Sequence, residues 1–146
     1  MKKAHHNLEA WQQALNLVKS VYSSTSTFPK SELYGLTSQM RRAAVSIPSN
    51  IAEGAARDST AELIRFLYIA RGSLAELETQ LLISRDLGYI EDVTQLLTDL
   101  ERVSGLLNGL VRSLKSRSSA RVREDLAEYD DLPDTISHVL RLTSNV

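Results

Sequence analysis

The stretch Ser59-Thr60-Ala61-Glu62-Leu63-Ile64-Arg65-Phe66-Leu67-Tyr68-Ile69-Ala70-Arg71-Gly72-Ser73-Leu74-Ala75-Glu76-Leu77-Glu78-Thr79-Gln80-Leu81 decides the fold class. Leu63, Leu67, Ala70, Leu74, Leu77 and Leu81 recur at steps of three and four, which places them on one face of a helix. Ser59 followed by Glu62 has the spacing of a capping box, in which the hydroxyl takes an orphan N–H and the carboxylate reaches back to the cap. Gly88 after Leu87 is placed to end the helix in a left-handed turn.

The same period extends to both sides. Leu8, Trp11, Leu15, Val18 and Tyr22 form a stripe over a first predicted helix from Asn7, a plausible N-cap, to Ser24, where a run of hydroxyl residues ends it. Leu36, Met40, Ala43, Ile47 and Ile51 mark a second, from Ser31 or Glu32 to Ala55. Pro48 inside it is predicted to kink the helix, a break with a fresh start being the competing reading. Leu96, Leu100, Val103, Leu107, Leu110 and Leu114 mark a fourth, starting near Glu91 and Asp92. Long amphipathic helices on short connections predict an all-α, antiparallel up-down-up-down four-helix bundle. It covers residues 1–117, and residues 118–146 form an irregular or partly helical tail in which Ile136, Val139 and Leu140 share a face.

Composition excludes much. At 146 residues the chain is one domain's worth, able to bury a core without staples. It has no cysteine, which removes disulfides, thiol catalysis and thiolate metal sites and suits a cytoplasmic setting. No apolar run approaches a membrane span. With 17 basic and 18 acidic residues the net charge is -1, so there is no bulk pull toward nucleic acid. His5 and His6 are adjacent, not at helical ligand spacing, and His138 stands far off; no metal site, no cofactor loop and no catalytic set can be assembled. The expectation is a protein that is not an enzyme.

Three sets of residues remain. Gln39, Ser46, Asn50 and Glu53 fall on one line of the second helix, and Ser73, Gln80 and Ser84 on the third could answer them. Such a line reads either as a ligand groove or as a hydrogen-bonded seam, the seam being favoured because buried polar groups need partners and no ligand is required. Ile64, Tyr68, Ala75 and Leu82 form a second apolar line about 115° round from the core stripe at about 3.6 residues per turn, with Arg71 and Glu78 beside it as ion-pair partners. Val93, Leu97 and Val111 do the same on the fourth helix. These lines mark either subunit contacts or a wide core face under the tail. Arg41, Arg42, Arg57 and Arg85 are candidates for binding nucleic-acid phosphates, with Lys2 and Lys3 at the terminus, while Arg65 opposite the core reads as solvated.

Residues 39–54, Gln-Met-Arg-Arg-Ala-Ala-Val-Ser-Ile-Pro-Ser-Asn-Ile-Ala-Glu-Gly, together with Phe66 to Gln80, resemble the bacterial 23S rRNA intervening-sequence proteins. That family includes relatives of the Avd-like accessory proteins of diversity-generating retroelements. The likeness spans roughly residues 7–115, helped by Leu8, Trp11, the Phe28-Pro29 turn and Tyr34-Gly35-Leu36. It implies an antiparallel bundle assembling as a ring-shaped homopentamer without enzymatic activity or cofactor. It also implies RNA or DNA, and a protein such as a reverse transcriptase, as partners. The retroelement branch is strongly basic, whereas this chain is nearly neutral. The fuller expectation is an oligomeric scaffold displaying arginines to nucleic acid; the rival is a structural oligomer or protein adaptor with no such affinity.

Overall fold

The computed structural model describes residues 3–130, and its helices are α1 (Glu9–Thr25), α2 (Leu36–Ala55), α3 (Thr60–Asp86) and α4 (Thr94–Asp130). Short 3-10 turns at Ala4–Asn7 and Lys30–Glu32 precede α1 and α2, and no strand occurs among the described residues. The chain divides into two units, residues 1–111 and residues from Arg112 onward. The second, where described, is the last part of α4, with Val122 and Leu126 exposed. The expected face of Ile136, Val139 and Leu140, His138 and the candidate Lys2 lie outside the described residues.

Within the first unit, neighbouring helices run in opposite directions. Ser46 meets Ser73 while Met40 meets Ser84, so α2 and α3 are antiparallel. Arg41 near the start of α2 reaches Thr25 at the end of α1. Leu8 to Ala10 share a cleft with Leu106 and Leu110, and Lys19 to Ser24 share another with Asp92 to Asp99, so α1 and α4 also oppose. No helix of the described residues is long and apolar enough to cross a membrane.

α3 buries Leu67, Ala70, Leu74, Leu77 and Leu81 of its predicted stripe, while Leu63 near its start is only half-buried. α1 differs. Its buried line is Ala10, Ala14, Leu17, Val21 and Thr25, whereas Trp11, Leu15 and Val18 are half-buried and Tyr22 is exposed. The small alanines let α1 approach the core closely, which displaces the bulkier stripe to one side. There Trp11, Leu15 and Val18 wall a shallow apolar groove with Val45 and Pro48. Val93, just before α4, and Val111 on it are buried within the chain itself, which removes them as subunit contacts, and Leu110 and Leu114 are only half-buried.

The ends of the helices follow local chemistry, sometimes at a different residue than expected. Asn7 closes the first 3-10 turn and Leu8 takes the N-cap position of α1 without a side-chain bond. α2 starts later than predicted, because the Glu32 carboxylate accepts the Leu36 N–H at 2.8 Å. It then runs unbroken through Pro48, which rejects a fresh start there. Ser59 Oγ accepts the Glu62 N–H at 3.1 Å, while the Glu62 carboxylate turns to Arg65 instead of back to the cap. Gly88 has φ 76°, and Gly88 N–H and Tyr89 N–H bond to the carbonyls of Arg85 and Ser84, each at 2.9 Å. That is a Schellman ending, and glycine is the residue that takes this φ without strain.

At α4, Asp92 Oδ1 accepts the Thr94 N–H at 2.9 Å, two residues inside the expected start. Hydrogen bonds from the Thr94 side chain and then its backbone hold the Asp92 carboxyl below its ordinary value of 3.8. A depressed carboxylate contributes stability that is full above the unfolded value and lost as pH falls through the folded one. Asp92→Ala is therefore expected to lower the Tm at neutral pH, the difference from wild type vanishing once Asp92 is protonated. Thermal melts across the acid range check this.

Candidate functional site

The polar line of α2 borders a groove of about 420 Å³ between α2 and α3. Gln39, Arg42 and Ser46 on α2 face Ser73 and Glu76 on α3, with Ser38 and Tyr34 toward the start of α2. At one end Ser46 Oγ and Ser73 Oγ are 2.8 Å apart, and Asn50 Nδ2 donates to Ser46 Oγ at 2.9 Å and to its carbonyl at 2.8 Å. Ser73 Oγ also lies 3.4 Å from the Ile69 carbonyl. These serines and Asn50 form one connected set, as a helix seam requires of half-buried polar groups.

The rest of the predicted line is not in that set. Glu53 pairs with Arg57 at 2.9 Å on its own helix, and Gln39 is exposed at the groove edge. Gln80 is buried; its Nε2 donates to Glu76 Oε1 at 3.2 Å, while its Oε1 has no partner among the described residues. Ser84 donates to the Gln80 carbonyl at 2.8 Å and approaches Met40 Sδ at 3.3 Å.

Three of the four candidate arginines are engaged. Arg41 Nε donates to Thr25 Oγ1 at 2.9 Å and its Nη2 approaches the Tyr22 carbonyl at 3.5 Å, with the guanidinium 4.6 Å from the Tyr22 ring centre. A cation there complements the C-terminal end of α1. Arg57, besides Glu53, lies 5.0 Å from the Phe66 ring centre, and Arg65 lies 4.9 Å from the same ring. Arg85 bonds Asp86 at 3.1 Å. Arg42 is exposed and makes no ion pair or hydrogen bond among the described residues.

Along the second line of α3, Ile64, Tyr68 and Leu82 are half-buried, and Ile69 and Ile83 beside them are exposed. Arg71 sits over Tyr68, 4.7 Å from the ring centre, and forms no ion pair with Glu78 among the described residues. Seven residues of helix separate those two by about 10 Å of rise, too far while Arg71 lies over Tyr68.

Two features escaped the sequence reading. Tyr34 is 94% exposed at the groove, in a turn where no helical period could single it out. His5 and His6 both pack on Trp11, with ring centres 5.1 and 5.2 Å away. Partial burial, then the charges of His6 and Lys3, hold His5 below the usual imidazole range. Among the described residues no group of three His, Cys, Asp or Glu side chains could hold a metal ion.

Amphipathic helices closed on one apolar core, with a hydroxyl-bonded seam between α2 and α3, define a four-helix bundle protein. The sequence model of one family, the 23S rRNA-intervening sequence protein, matches residues 6–109. The chain belongs to that family. A comparison with curated protein sequences finds no match.

Proposed function

We propose that this family member is a non-enzymatic, cytoplasmic scaffold that holds nucleic acid by its phosphates, with Arg42 the leading contact. The observation that carries the reading is an exposed guanidinium without an ion-pair partner among the described residues, set in a polar groove. A guanidinium fork suits phosphate oxygens. Copies of the chain meet along Ile64, Tyr68 and Leu82, and a closed ring, a pentamer in this reading, repeats each Arg42 by symmetry. A modest charge per chain then becomes a continuous field. Fluorescence anisotropy against RNA over a salt series tests the reading. Binding is expected to collapse as salt rises, and Arg42→Ala to flatten the logarithmic slope by about one. Absence of binding at low salt overturns it, and a monomeric mass by light scattering removes the ring.

A second reading is an adaptor for a protein partner, such as a reverse transcriptase, without nucleic-acid affinity. The engagement of Arg41, Arg57 and Arg85 within the chain, with a net charge of -1, favours it. The same salt series separates the two.

A further inference from the structure

We infer that the α2–α3 groove seats a single strand, with one unpaired base stacked on Tyr34 and a neighbouring phosphate on Arg42. This rests on the nucleic-acid reading above and specifies the form of ligand that its site accepts. Tyr34 is 94% exposed, which is unusual for an aromatic ring in a folded chain, and it lines the same groove as Arg42. Tyr34 lies just before α2 begins at Leu36, and Arg42 follows within two turns, about 9 Å along the axis from Leu36 at about 1.5 Å per residue. Both residues line one groove of about 420 Å³, so a single strand lying in it meets the ring and the guanidinium together.

An exposed aromatic ring beside a cation is the pairing that binds unpaired bases, because every base offers a stacking face once it leaves a duplex. In a duplex those faces are covered, so Tyr34 has nothing to stack on and only the Arg42 contact remains. Glu76 on the opposite wall adds a negative charge to the same groove. Arg42 and Glu76 do not pair with each other, so Glu76 weakens the attraction for a phosphate without occupying its seat.

The test uses the full chain with a labelled RNA of about twelve nucleotides, alone and annealed to its complement, at low salt. The single strand is expected to bind about tenfold more tightly than the duplex. Tyr34→Leu should erase that preference by weakening the single strand about tenfold, while Tyr34→Phe keeps it. Glu76→Gln, which retains an acceptor for Gln80, should strengthen binding severalfold at low salt. Equal affinity for both forms, or an unchanged Tyr34→Leu variant, overturns the inference. If salt-sensitive binding that depends on Arg42 persists in that case, the scaffold reading survives. Absence of binding to either form overturns both.

Discussion

Gly54→Ala is expected to destabilise the protein by about 1–2 kcal/mol, although alanine is the better helix former. A Cβ at position 54 would lie 2.7 Å from Phe66 Cβ, 3.1 Å from Leu63 Cδ1 and 3.2 Å from the Leu63 carbonyl oxygen. The first and last of these cannot rotate away, so α2 and α3 would have to separate. Propensity alone argues for a gain of up to about 1 kcal/mol, and overpacking for a loss of about 1–3 kcal/mol. The overlap is with a backbone atom and a Cβ, so the loss wins. Gly54→Val adds two more carbons at the same spot and should cost still more, about 3 kcal/mol. Urea unfolding with an unchanged m-value measures both; an increase in stability for either would mean that the two helices can part freely.

Pro48→Ala is expected to act in the other direction, stabilising by about 1–2 kcal/mol. Pro48 sits buried inside α2 and cannot donate to the Ala44 carbonyl. Alanine is favoured there by about 3 kcal/mol of intrinsic preference. Losing the ring removes about two buried methylenes, about 1.6 kcal/mol at about 0.8 each. The balance is positive, and chemical denaturation of the purified variant reads it. A loss of stability would show that the packing of Ile47 and Ile51 depends on a bend at the proline.

α3 was legible because its leucines keep one unbroken period from Leu67 to Leu81 and all of them are buried, even with a second apolar line beside them. α1 carries two adjacent apolar lines, and large residues draw the eye from small ones. Ala10 and Ala14 hold the core position because they are small, a property that hydrophobicity does not rank. Val111 is buried for a related reason, the inner face of α4 being wider than its leucine stripe, and Val93 is buried in the turn that leads into that helix. At the site, the meeting of Ser46 with Ser73 was readable from the polar line, and the pairing of Glu53 with Arg57 from their spacing of four. The bond from Arg41 to Thr25 joins residues that only the fold brings together. Tyr34 lies in a turn, where exposure is set by the path of the backbone and leaves no periodic trace.

The bonds at the closed end of the groove have a direction. Asn50 donates to Ser46; if Ser73 gives its proton to the Ile69 carbonyl, Ser46 must give its own to Ser73. The protons of both serines are then spent within the helices, so the pair that fixes helix register can offer a guest only acceptors, and Arg42 is left, among the described residues, as the one cationic donor in the groove lining.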